Sequence, residues 1–256
     1  MNDMWNVLST SLQGTSHSSE CIPCQDFHSW KLVSTRNESV LLVSCSDGAG
    51  SASYADVGSK IACDVSIACL EEFVLQYGGV AGLDRIAATS MCERVRAVIA
   101  DEAVERNVAV RQLACTLLCA AISQSGAFFF QIGDGAIVAS TGVSMGVVFW
   151  PQSGEYANST TFITDEQYYQ AMQCECSLRT FQDVGVFTDG LERLLLDFSN
   201  QSPHVPFFEK CFGWVRAATN VESLQGGFQK LLESPDVNQR TDDDKTLVLA
   251  SRLAAK

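Results

Sequence analysis

Val40-Leu41-Leu42-Val43-Ser44-Cys45-Ser46-Asp47-Gly48-Ala49-Gly50 is the stretch on which the reading of this chain turns. Its first four residues are apolar without a break, so a strand here has no solvent face and lies deep inside a sheet. The end of the stretch is a turn in which glycine lets the backbone bend sharply beside a carboxylate. Beyond it the period changes. Cys63, Ile67, Leu70 and Val74 recur at helical spacing, with Lys60, Asp64 and Glu71 between them, which predicts an amphipathic helix.

Working outward, Trp5 to Leu12 and Phe27 to Thr35 read as strands upstream. Downstream, Leu83 to Arg106 predicts a second helix on Ala88, Met91, Val95 and Val98, separated from the first by Gly78, Gly79 and Gly82 as in a helical hairpin. Cys115 to Ile122, Ala127 to Ile132, Ala136 to Ser140 and Val147 to Trp150 read as strands, with Gly133-Asp134-Gly135 as a tight hairpin turn. After a polar stretch from Gln152 to Thr164, Val184 to Phe187 is a strand and Leu191 to Phe198 helical. Helices over Phe207 to Thr219 and Val221 to Leu232 precede a last strand, Leu247 to Ala250. This order predicts an α+β protein of packed layers rather than alternating βαβ units. No repeat or linker divides residues 1–256, which are expected to form one domain.

Composition removes several function classes. With 17 Lys+Arg against 30 Asp+Glu the formal charge is −13, so the chain lacks the basic surface that nucleic-acid phosphates require. Eleven cysteines, an odd number, read as free thiols in a reducing compartment. No signal-like start or long apolar span is visible, and a cytoplasmic protein without membrane attachment is expected.

Four aspartates stand at strand ends: Asp26 and Asp243 just before a strand, Asp47 and Asp189 just after one. Antiparallel pairing sets the start of one strand beside the end of its neighbour, so these carboxylates are able to gather at one edge of the layers. Gathered anions repel unless a hard cation balances them. Mg²⁺ or Mn²⁺ suits an all-oxygen site, and the three histidines lack zinc-ligand spacing. Each Asp-Gly pair alone is an ordinary turn signal.

The ordered set carries more. Cys24-Gln25-Asp26, Ser46-Asp47-Gly48-Ala49-Gly50, Ala114-Cys115-Thr116, Gly133-Asp134-Gly135, Thr188-Asp189-Gly190-Leu191 and Asp243-Asp244-Lys245-Thr246 together resemble the bacterial branch of the PP2C-type, metal-dependent Ser/Thr protein phosphatases. The resemblance runs from about Gly14 to Ala250. It implies an α-β-β-α sandwich of two antiparallel sheets flanked by helices, with two Mn²⁺ or Mg²⁺ ions at one end. It further implies that Asp47 bridges both metals, that the Gly48 carbonyl is a ligand, and that Asp189 and Asp243 hold the first metal. By the same resemblance Asp26 is expected to be either a direct ligand or one acting through a metal-bound water, and Thr116 and Asp134 to be mainly structural. The implied chemistry is hydrolysis of phosphoserine or phosphothreonine in protein partners by direct attack of a bridging water. A monomer is expected.

The chain also departs from the family pattern. The register of the usual phosphate-clamping arginine holds Cys21, and an acidic position is Gln25. His17, Lys31 and Arg36 are the nearby cations able to replace the clamp, and His17 is also a candidate catalytic proton donor to the leaving alkoxide, although a surface histidine is the plainer reading. These departures motivate a non-enzymatic alternative, a degenerate phosphoprotein-binding or regulatory domain. A rival enzyme reading takes Gly142-Val143-Ser144-Met145-Gly146 as a hydrolase elbow with Ser144 as nucleophile and Asp183 or Asp189 and His204 downstream. That elbow requires a helix after the serine, whereas the following residues read as strand. Cys21-Ile22-Pro23-Cys24 has redox spacing but lacks a helix behind it.

Overall fold

The computed structural model describes residues 4–151 and 160–253. β1 (Trp5–Leu12) leads through a short helix, α1 (Thr15–Glu20), to β2 (Phe27–Ser34) and β3 (Ser39–Ser46). The helices α2 (Ala55–Tyr77) and α3 (Arg85–Glu105) follow, then β4 (Leu117–Ile122), β5 (Ala127–Ile132), β6 (Ala136–Ser140) and β7 (Met145–Val147). Next come α4 (Tyr168–Ala171), β8 (Gln173–Ser177), β9 (Asp183–Phe187), α5 (Glu192–Leu195), β10 (Leu196–Asp197) and β11 (Ser202–Pro203). α6 (Val205–Ala217), α7 (Glu222–Leu232) and α8 (Pro235–Asn238) precede β12 (Lys245–Arg252).

Two five-stranded sheets, β1-β12-β9-β6-β7 and β2-β3-β4-β5-β8, lie face to face, and all their pairings are antiparallel. The double-faced apolar run of β3 explains itself here. Leu41 and Val43 point between the sheets, where they join Leu118, Phe129, Ile137 and Val186 in the inner core. Val40 and Leu42 point outward and pack against α2 and α3 through Leu70, Met91 and Ile99. On the other side, Leu247 and Leu249 of β12 meet Phe208, Phe212 and Phe228 from α6 and α7. The α-β-β-α layering and the α+β class expected from the sequence are what the chain adopts.

Five local readings change, and one is the expected strand Val147 to Trp150, of which only Val147 lies in β7. Gly133-Asp134-Gly135 is not a hairpin, because β5 and β6 belong to different sheets. The turn is a crossover, with Gly133 at φ 96° and Gly135 at φ 83°, where a side chain is strained. The Gln131 amide ties it by donating 3.1 Å hydrogen bonds to the carbonyls of Gly133 and Gly135. In α3 the buried position is Ile99, whereas Val98 is exposed. Leu191 to Phe198 is a four-residue helix that gives way to β10, and α1 and β8 are elements the sequence did not announce. The segment from Gln152 lies largely outside the described residues, which resume at Thr160.

Candidate metal centre

The registers at the strand ends assemble the site. Phe27 pairs with Ser46, so Asp26 at the start of β2 adjoins Asp47 at the end of β3. Leu247 pairs with Phe187, so the residues preceding β12 lie beside Thr188-Asp189. Gly190 makes this approach close: a Cβ there would fall 2.0 Å from the Asp244 carbonyl oxygen. The Thr188 hydroxyl then spans from one sheet to the other, donating a 2.7 Å hydrogen bond to Asp26 Oδ2.

Asp47 is held by its backbone. The Thr116 amide donates to the Asp47 carbonyl at 2.8 Å, and the Asp47 amide donates to Thr116 Oγ1 at 2.9 Å. Gly48 pairs with Cys115 in a bridge whose hydrogen bonds run through the flanking residues, Ala49 to Ala114 and Thr116 to Asp47. Gly48 therefore directs its own carbonyl away from that partner.

Carboxylate oxygens of Asp47, Asp134 and Asp189 lie within 4.8 Å of one another, a grouping of three ligand-grade side chains. Asp26 and Asp243 surround this trio closely enough to raise the pKa of Asp47. The sequence reading gave Asp134 a supporting role, yet the crossover turn lifts it into the acidic cluster, where Thr160 donates to its Oδ2. Glu192, also missed, accepts from the Gly135 amide at 2.7 Å and braces the same turn.

Electrostatics shows what the cluster can hold. Two charged carboxylates 4.8 Å apart repel by roughly 3.5 kcal/mol at an effective dielectric of about 20. Burial, reinforced by Asp189 and Asp26, pushes Asp47 well above the usual carboxylate range. Burial and then the charges of Asp134 and Asp243 push Asp189 up to about 8. Burial also raises Asp26 to about 7, against the opposing hydrogen bond from Thr188. Asp134 Oδ1 and Asp26 Oδ1 are buried with no hydrogen-bond partner. Oxygen-only ligands, mutual repulsion and orphaned oxygens together fit a hard divalent cation.

Asp244 organises the rim. Its Oδ1 accepts the Gly14 amide at 2.6 Å, and its Oδ2 accepts the Gln25 amide at 2.6 Å and His17 Nδ1 at 2.9 Å. One buried carboxylate thus fixes α1, the loop leading to Asp26 and the start of β12. Lys245, also buried, donates to Asn238 Oδ1 at 3.1 Å and to the Asp243 carbonyl at 3.5 Å.

The other sequence candidates separate. His17 is at the site, but Lys31 pairs with Glu71 at 2.6 Å on the outer face and Arg36 sits at the opposite end of β2. Cys21 is an exposed residue capping α1, with φ 57°. Ser144 closes the Thr141–Ser144 turn, accepting the Thr141 amide at 3.0 Å, and leads into β7 rather than a helix. Asp183 is engaged by Arg216 at 2.6 Å and His204 Nδ1 accepts from the Phe207 amide, so the elbow residues form no triad.

Comparison with known proteins agrees with this geometry. The family model described as Protein phosphatase 2C matches residues 13–229. Serine/threonine-protein phosphatase 3 of Escherichia coli (strain K12) is 39% identical over 249 residues, covering 96% of this chain and 98% of that protein. The fold resembles the serine/threonine phosphatase Stp1 from Staphylococcus aureus, with a TM-score of 0.65 at 13% identity, over 98% of this chain and 96% of that one. RsbX in complex with magnesium superposes with a TM-score of 0.54 at 17% identity, over 98% and 97% of the two chains. This chain belongs to the protein phosphatase 2C family and is a metal-dependent protein phosphatase.

Proposed function

We propose that the protein hydrolyses phosphoserine and phosphothreonine esters in phosphorylated proteins with two Mn²⁺ or Mg²⁺ ions. The observation that carries this is the trio Asp47, Asp134 and Asp189, whose oxygens lie within 4.8 Å at the meeting of the two sheets. Asp47, the Gly48 carbonyl, Asp189 and Asp243 would hold the ions, with Asp26 either a ligand or one step removed. Asp134 joins this ligand set on its position. Ions bound there would lower the pKa of a water and neutralise charge on the transferring phosphoryl group. Water is the nucleophile in this reading, and no side chain forms a covalent intermediate.

His17 is the proton donor to the departing serine or threonine oxygen. The Asp244 carboxylate accepts from its Nδ1, which leaves Nε2 to carry the transferred proton. The phosphate clamp has no arginine at Cys21, and of the three substitute cations named from the sequence His17 alone is at the site.

The 39% identical phosphatase supports the Ser/Thr substrate class. We further read residues 1–256 as one catalytic domain, monomeric and cytoplasmic. The described cysteines are free thiols, and no described helix is long and apolar enough to cross a membrane.

The test is release of phenolate from a generic aryl phosphate with Mn²⁺, without it, and after chelation. Activity must appear only with metal, survive Ser144→Ala, and fall at least about 100-fold in Asp47→Asn or Asp189→Asn. Metal-independent turnover, or loss in the Ser144 variant alone, refutes the proposal.

A further inference from the structure

α5 and β10, the start of α6, the end of α7 and the stretch from α8 to Arg240 enclose an open cavity of about 510 Å³. That volume is in the range of pockets that bury a ligand or a few side chains. Its floor is apolar: Leu191, Leu195, Leu196 and Leu232 are buried, with Phe207 and Val237 half-buried beside them. Phe198 and Leu231 stand exposed in the lining.

The rim of this cavity is cationic in a chain whose formal charge is −13. Arg193 and Arg240 line it and are exposed, and among the described residues neither guanidinium makes an ion pair or a hydrogen bond. His204 Nδ1 accepts the Phe207 amide at 3.3 Å, so a neutral ring carries its hydrogen on Nε2 and adds a donor. Asp197 is the acid in the lining, and its oxygens already accept from Ser199 and Asn200. An apolar floor under two uncommitted guanidiniums suits an apolar side chain flanked by carboxylates, which arginine can grip in pairs of hydrogen bonds.

The walls also lead to the metal site. Leu191 stands two residues after Asp189 and Arg240 three before Asp243. At about 3.8 Å between successive Cα atoms, they lie within about 8 Å and 11 Å of those aspartates. Four extended residues span about 13 Å, so one continuous peptide can reach from the metals into the cavity. We propose that this cavity docks a segment of the phosphoprotein substrate, an apolar residue flanked by acidic ones a few residues from the phosphorylated side chain. The proposal rests on the phosphatase reading of the metal site.

Three phosphoserine peptides test it. Two carry Leu-Glu-Glu beginning about four residues from the phosphoserine, one toward each terminus, and the third carries serines instead. With Mn²⁺, one of the first two should exceed the third in kcat/KM by at least about ten-fold, chiefly through KM, which is what one charge-assisted hydrogen bond contributes. In the Arg193→Gln/Arg240→Gln double variant, whose changes are both on exposed side chains, that ratio should fall to within about two-fold. No gain on either side, or a gain that survives the double variant, overturns the proposal. Dimers in sedimentation that the double variant abolishes would give the cavity to a second copy and overturn it as well. Wild-type protein that hydrolyses none of the peptides with Mn²⁺ would instead refute the phosphatase reading. Fluorescence anisotropy of an unphosphorylated Leu-Glu-Glu peptide then decides on the cavity: binding to wild type at least about ten-fold tighter than to the double variant supports docking, and equal binding overturns it.

Discussion

The Thr188 hydroxyl reaches from the end of β9 in one sheet to Asp26, at the start of β2 in the other, and donates to its Oδ2 at 2.7 Å in a buried environment. This contact lies where the two sheets must be held in register for carboxylates from both to share one site. The same Thr188 oxygen accepts the Thr246 amide, so it also links β12 to the pair.

Thr188→Val removes the hydroxyl and keeps the shape. A buried hydrogen bond to a carboxylate is lost, which costs about 1–3 kcal/mol. Thermal denaturation should show that loss, and the Mn²⁺ concentration for half-maximal activity should rise. A variant with wild-type stability and metal dependence would mean that the contact between the sheets contributes nothing.

Removing metal makes stability depend on pH. Asp26 is raised to about 7 and Asp189 to about 8 in the folded, metal-free protein, both above their usual values. The stability such groups contribute is fully present below about pH 4 and is lost as pH rises through 7 to 8. The gain in melting temperature on adding Mg²⁺ should therefore grow from pH 5 to pH 8, and binding should release protons. Calorimetry in buffers of different ionisation enthalpy measures that release; a gain that does not change with pH would contradict the assigned shifts.

His17 is expected to matter in proportion to the leaving group. An alkoxide needs a proton far more than a phenolate does. His17→Gln should therefore slow phosphoserine-peptide hydrolysis by about 100-fold while changing aryl phosphate turnover little. Equal losses on both substrates would mean that His17 holds the phosphate or supports Asp244 rather than donating the proton.

Glycines sort by what surrounds them. Gly190→Ala drives a Cβ into the Asp244 carbonyl oxygen, an overpacking that costs at least about 1–3 kcal/mol. Gly213 lies inside α6 with open space around its Cβ position, so Gly213→Ala should stabilise by about 0.5–1 kcal/mol. Denaturant melts of the two variants should move in opposite directions.

Much of this architecture is legible in the sequence because burial imposes period. The inner and outer residues of β3, the stripe of α2 and the strand ends at Asp26, Asp47 and Asp189 all follow from it. Gly133-Asp134-Gly135 reads as a hairpin because two apolar strands around Gly-Asp-Gly look alike whether they pair or part, and only the sheet assignment distinguishes a hairpin from a crossover. α1 buries no side chain, so it carries no apolar stripe for periodicity to detect. Asp244 reads as one of three consecutive acids, and nothing local reveals that it accepts amides from Gly14 and Gln25.

Crystals soaked in Mn²⁺ and measured for anomalous scattering test the central claim most directly. Two peaks are predicted among the carboxylates of Asp47, Asp134 and Asp189, with Asp26 and Asp243 at their margins. Manganese absent from that space at saturating concentration, in crystals of protein that still turns over substrate, would contradict the account.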